Sequence, residues 1–182
     1  INLVTPTHYT RQIIDVLEEV KPQLFVPVVY NCGGYESPAT IDRLAGLVDV
    51  YMPDLKYFSP ELSEKYSGAK DYYMVAIEAI RRMRAQVGEP QYDENGIMTR
   101  GLLIRHLVLP GCRKDSIELI HRLADTFAPG DFVLSLMSQY TPDYAMNTPY
   151  ENLHRRVTTL EYESVVREVQ LAGFEGYIQE RS

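Results

Sequence analysis

What most constrains this chain is an alternation: short runs rich in β-branched residues take turns with amphipathic stretches at helical spacing. From Thr10 to Val20, residues Ile13, Ile14, Leu17 and Val20 fall at the i, i+3, i+4, i+7 positions of a helix with one buried face. Leu24 to Tyr30 reads as a strand, interrupted by Pro27 and closed by Cys32-Gly33-Gly34. Ser37-Pro38 offers a hydroxyl N-cap with proline at the first helical position, and Ile41, Leu44 and Leu47 supply that helix's apolar face. Val48 to Met52 is the next strand, Ser59-Pro60 starts a short helix that Gly68 ends, and Tyr72 to Val87 carries a longer one. Gly88 to Arg100 is polar and reads as a loop. Leu102 to Leu109 is the strongest strand, stopped by Pro110-Gly111. Asp115 with Glu118 predicts a capping box for a helix to Phe127, and Thr158 with Glu161 predicts one for a helix ending at Gly173. Phe132 to Met137 and Phe174 to Gln179 complete the strands.

Strands separated by helices need crossover connections, so the sheet is expected to be parallel and covered by helices. The alternation leaves open whether that sheet is doubly wound or forms a barrel or part of one. With 182 residues, no internal repeat and no dividing linker, residues 1–182 read as a single α/β domain. The chain opens at Ile1 without an initiator Met and reads as a piece of something longer. No apolar run approaches the ~18–20 residues of a membrane span, and no signal peptide is visible, so a soluble protein is expected. Two cysteines, Cys32 and Cys112, fit a reducing, cytoplasmic setting. The formal charge of −7 disfavours nucleic acid and anionic membrane as partners.

In parallel α/β folds the chemistry collects where strands end. Those positions hold Thr5, Thr7 and His8, then Tyr30 and Asn31, then Asp54 and Lys56, then Ser138, Gln139 and Tyr140. The strand from Leu102 differs, because Arg105 and His106 lie inside it and must point to opposite faces. A guanidinium turned toward the ligand side needs an anion, either a ligand or a carboxylate such as Asp54. Lys56 is open to three readings: a ligand contact, a Schiff-base nucleophile or a solvated lysine. No G-x-G-x-x-G, P-loop, H-E-x-x-H, C-x-x-C or G-x-S-x-G is present, and the four histidines have no metal spacing.

Several strings carry a resemblance. Arg105-His106-Leu107-Val108-Leu109-Pro110-Gly111 resembles the strand before a Pro-Gly turn in radical S-adenosylmethionine activating enzymes. Pro53-Asp54-Leu55-Lys56 is similar to a strand end of the pyruvate formate-lyase-activating enzymes. Asn2 to His8, Tyr30-Asn31 and Met137-Ser138-Gln139-Tyr140 resemble an activase-like subgroup without an assigned substrate. The resemblance implies a partial (β/α)6 TIM-like barrel of parallel strands. It also implies a 4Fe-4S cluster that cleaves S-adenosylmethionine to a radical, used on a glycyl-radical partner enzyme, with an electron donor such as flavodoxin or ferredoxin.

Carried over by position, the resemblance assigns Asn31, Asp54, Lys56 and Arg105 to the cofactor's surroundings. Thr7 stands where many members have the glutamate of Gly-Gly-Glu, and Tyr140 stands where a histidine is usual. Two distant cysteines cannot make a three-thiolate site, so the first strand and the cluster loop are expected upstream of Ile1. No metal ligand and no tightly bound cofactor is then expected in this fragment, which alone should lack radical chemistry. A missing first strand also leaves an open sheet edge, and with it self-association or a covered edge. Two other functions stay open: a Lys56 Schiff-base (β/α)-barrel lyase, and a non-catalytic α/β binding module.

Overall fold

The computed structural model describes residues 1–179. In chain order, β1 (Asn2–Val4) leads through a 3-10 turn to α1 (Thr10–Val20), β2 (Val29–Cys32), α2 (Pro38–Arg43) and β3 (Val50–Pro53). Then come α3 (Pro60–Ser67), α4 (Tyr72–Val87), β4 (Gln91–Tyr92), β5 (Met98–Leu107), α5 (Arg113–Thr126), β6 (Val133–Met137), α6 (Thr159–Leu171) and β7 (Gly176–Ile178). The sheet runs β1-β2-β3-β5-β6-β7, every neighbouring pair parallel, with β4 attached antiparallel to β5. Strand order therefore follows chain order without the reversal that defines a doubly wound sheet. The sheet is wound in one direction, as in a barrel, and β1 and β7 remain its open edges.

Burial along β5 shows how the layers sit. From Leu102 through the two residues after the strand, Leu102, Ile104, His106 and Val108 are at most 1% exposed, whereas the alternating Leu103, Arg105, Leu107 and Leu109 are only half-buried. The first set joins one core with Tyr30 and Tyr51, Leu134 and Leu136, and the inner faces of α1, α2, α4, α5 and α6. Helices thus cover one face of the sheet, and the alternating residues are left facing a cleft on the other.

Helix starts follow the chemistry expected of them. Ser37 accepts from the amide of Thr40, Ser59 from that of Leu62, and Thr158 with Glu161 forms a complete capping box. The Asp115 expectation needs correction: α5 starts three residues earlier, at Arg113 with Cys112 at the N-cap. Asp115 instead reaches to the segment before α3, accepting from the amides of Phe58 at 3.1 Å and Ser59 at 2.6 Å. The expected strand at Leu24 begins only at Val29, because Pro27 has no amide to give and Phe25 and Val26 lie out in solvent. The Gly88–Arg100 loop holds a hairpin, β4 to β5, whose turn is closed by the Asp93 carboxylate on the amides of Asn95 and Ile97.

Gly34 fixes how closely two strand-end loops approach. Its φ of 82° is left-handed, and a Cβ there would lie 2.1 Å from the carbonyl oxygen of Asp54. Gly46 has a similar φ of 79° with open space around it. Alanine should therefore cost about 1 kcal/mol at Gly46, from backbone strain alone, and at least about 3 kcal/mol at Gly34. Urea unfolding of the two single variants checks this, with the difference between them reporting the loop contact.

Candidate functional site

The polar side of the sheet is organised around Asp54-Leu55-Lys56, just past the end of β3. The parallel ladder continues beyond that strand, with the Asp54 amide donating to Cys32 O at 2.9 Å and the Leu55 amide to Arg105 O at 2.8 Å. This register sets Asp54 beside Arg105 on the cleft-facing side. The carboxylate meets the guanidinium at 2.7 Å, and the same Nη2 donates to Asn31 Oδ1 at 2.8 Å. Three adjacent strands are tied by one arginine. Its Nε is buried without a hydrogen-bond partner, one donor left uncommitted.

Two side chains from the helix-facing layer hold the same segment from behind. Tyr72, on α4 and 3% exposed, accepts from the Lys56 amide at 3.1 Å; its hydroxyl lies 2.9 Å from both Asp54 O and Gly33 O, which share its one proton. His106 is fully enclosed. Its Nδ1 lies 2.7 Å from Leu55 O, which can only accept, so Nδ1 carries the proton and Nε2 accepts from Ser116 Oγ at 2.9 Å. Burial lowers its pKa to about 4, so the ring is neutral.

The resulting cleft has a volume of about 350 Å³, with Asp54, Lys56, Arg105 and Gln139 on its polar side and Leu107, Leu109 and Met137 on its apolar side. Lys56 is exposed and enters no ion pair among the described residues, so two cations face one carboxylate. A locally positive cleft thus sits in an acidic protein, suited to a ligand with a carboxylate and some apolar surface.

Of the positions singled out in the sequence, Asp54, Lys56 and Arg105 line the cleft, and Asn31 stands behind them as Arg105's partner. Thr7 is committed elsewhere, its hydroxyl donating to Glu36 Oε1 at 2.5 Å. Tyr140 is likewise engaged, donating to Leu153 O at 2.9 Å. Glu36, Tyr72 and Ser116 escaped the sequence reading. Glu36 is 2% exposed, and burial pushes its pKa up. The only local signal for it was its place between the Gly33-Gly34 turn and the Ser37 cap. Tyr72 and Ser116 looked like ordinary helix residues, because their partners lie far away in sequence.

No protein-family model matches the chain. In sequence it is similar to an uncharacterized protein of Methanocaldococcus jannaschii, 28% identical over 171 residues that make up 92% of this chain and 43% of that protein. The chain spans less than half the length of this curated relative. In structure it is similar to the crystal structure of a domain of pyruvate-formate lyase-activating enzyme from Bacteroides vulgatus. The TM-score is 0.68 over 99% of this chain and 98% of that one, at 13% identity. The fold is therefore a parallel, open α/β sheet of the partial TIM-like barrel kind. Among the described residues, no helix is long and apolar enough to cross a membrane.

The neutral His106 gives stability a pH signature. Its folded pKa near 4 lies below the ordinary 6.5, so the unfolded chain takes up the proton first. This contribution is full above pH ~6.5 and is lost as pH falls toward 4, on the order of 3 kcal/mol in all. Burial raises the Glu36 and Asp115 carboxyls, which act in the opposite direction. Urea midpoints of the wild type and His106→Gln, compared at pH 7 and pH 4.5, should converge at the lower pH. A constant gap between them would count against a neutral buried ring.

Proposed function

We propose that this chain is the C-terminal part of a longer radical S-adenosylmethionine protein of the activating-enzyme type, with its polar cleft holding the amino-acid end of S-adenosylmethionine. The observation that carries this reading is the Arg105 guanidinium. It is anchored to Asn31 and Asp54, has a buried and unpartnered Nε, and lies beside the unpaired ammonium of Lys56. The ligand's carboxylate needs cationic donors, which Lys56 and Arg105 provide, and its ammonium needs an acceptor, which Asp54 provides. Leu107, Leu109 and Met137 offer apolar surface to the rest of the molecule. The overlay with a domain of an activating enzyme and the five strings shared with that group support the same reading.

Bound in this cleft, S-adenosylmethionine would supply radical chemistry, with the electron coming from a cluster held elsewhere in the longer protein. The residues described here bind and orient. They do not fit the cluster itself: Cys32 and Cys112 are both buried, burial raises both thiols, and no group of three His, Cys, Asp or Glu side chains suited to a metal occurs among the described residues. In this reading the C-x-x-x-C-x-x-C loop is encoded before Ile1. The radical's acceptor would be a partner enzyme, electrons would come from a flavodoxin or ferredoxin, and the protein would work in the cytoplasm. Self-association through the open sheet edge belongs to the same proposal.

Calorimetric titration of this chain with S-adenosylmethionine should show saturable binding, weakened about tenfold or more by Lys56→Met. The side chain of Lys56 is exposed, so this variant should fold as the wild type does. Binding that ignored Lys56 would sink the assignment of the cleft. Borohydride trapping of a carbonyl compound on Lys56 would replace it with a Schiff-base lyase. For the longer chain, anaerobic reconstitution should give a brown protein; an upstream reading frame without the three cysteines would refute the cluster.

A further inference from the structure

A second cavity adjoins the polar cleft, sharing Tyr57 and Leu109 with it, and has a volume of about 330 Å³. It opens between α3 and the segment that follows β6, and five tyrosines line it: Tyr57, Tyr66, Tyr140, Tyr144 and Tyr150. No Asp, Glu, Lys or Arg belongs to the lining. Most of the hydroxyls are already spent inside the protein. Tyr66 is bonded to Asn152, Tyr140 donates to Leu153 O, Tyr150 donates to Lys65 O, and Tyr57 accepts from Ser67. Burial raises the pKa of Tyr57, Tyr66 and Tyr140, so these phenols stay neutral. What is left to offer a ligand is ring surface.

Two further details narrow the ligand. The Lys65 ammonium already lies 5.1 Å from the ring centre of Tyr66 and 5.2 Å from that of Tyr150, so each of these two rings already has a cation over one face. A second cation would meet like charge there. Tyr144, by contrast, stands on the rim 97% exposed and packs on nothing of its own, a free ring beside a box of rings. Rigid tyrosines give large amphipathic contact at low entropic cost, which is why they are favoured for recognition.

We propose that this tyrosine-lined pocket binds an uncharged planar ring, carried either by a free small molecule or by an aromatic side chain of a peptide. Ring binding stands on the pocket alone. Its role as the substrate compartment beside the cofactor rests on the function proposed above.

The chain contains no tryptophan, so indole emission can be excited selectively and followed without background from the protein. Titrating the chain into indole, and separately into N-acetyl-Gly-Trp-Gly-amide, should give a saturable blue shift for at least one probe. Tighter binding of the peptide assigns a peptide-borne ring, and equal or weaker binding assigns a free one. Tyr144→Ala should weaken binding about three- to tenfold, the range of a single ring–ring contact, with the thermal midpoint unchanged because that side chain is exposed. Tyr150→Ala should weaken it similarly, and Tyr150→Phe should restore it. Tryptamine, with its ammonium, should bind several-fold more weakly than indole. No saturable shift with either probe, affinity indifferent to Tyr144 and Tyr150, or tryptamine binding as tightly as indole would overturn the proposal. Titration with S-adenosylmethionine reads the neighbouring cleft, so failure there leaves ring binding intact, and failure of ring binding leaves the cofactor assignment intact.

Discussion

Everything on the polar side of this protein depends on three consecutive residues having their backbone hydrogen bonds made by distant partners. The amides of Asp54, Leu55 and Lys56 go to Cys32 O, Arg105 O and the Tyr72 hydroxyl; the carbonyls of Asp54 and Leu55 receive Tyr72 and His106. A strand end is normally where the ladder stops and the chain is free to wander. Here the ladder is extended by side chains from the helix-facing layer, which converts a loop into a fixed platform. The carboxylate and the ammonium it presents are therefore placed by the core of the protein, and the core is built from ordinary apolar packing around them.

His106 and Arg105 show how one strand serves both layers. Alternation sends them to opposite faces, where the two side chains face opposite energetic problems. The imidazole is enclosed among apolar residues and resolves its burial by staying neutral, with both ring nitrogens bonded. The guanidinium cannot become neutral, so it remains at the cleft with about a quarter of its surface exposed and takes Asp54 and Asn31 as partners. The ion pair is a means of keeping a cation in place beside Lys56. The residual positive charge faces outward.

Much of this architecture was legible in the sequence because it is written in local chemistry. The Ser37, Ser59 and Thr158 caps and the spacing of α1 all act within a few residues, and the structure has each where the residues put it, whereas β5 ends at Leu107, two residues short of the Leu109 end expected from Pro110-Gly111. The Arg105–Asp54 pair was accessible as well, since a buried cation demands an anion and few carboxylates sit at strand ends. What escaped depends on tertiary proximity. Asp115 satisfied every local rule for a helix cap, yet its carboxylate was claimed by the amides of Phe58 and Ser59, more than 50 residues away in the chain. Tyr72 and Ser116 carry no motif at all, and Glu36 is defined by Thr7, from the turn after β1. Leu24 to Val26 failed for the converse reason: an apolar run promises burial only if its backbone can also be paired, and Pro27 interrupts the pairing before Val28.

Comparing the two cavities separates fold from chemistry. The open, singly wound sheet is shared with a domain whose sequence is only 13% identical, so the sheet by itself says little about what is bound. The difference lies in what each cavity leaves unsatisfied. In the cleft, charge is left over: one ammonium and one buried guanidinium nitrogen without partners. In the neighbouring pocket polarity is largely used up and ring surface is left over, with Lys65 posted outside against a second cation. A ligand, or a pair of ligands, that reaches across Tyr57 and Leu109 must therefore be ionic at one end and flat and neutral at the other. That polarity is set by the protein, and it constrains any reaction assigned to the site.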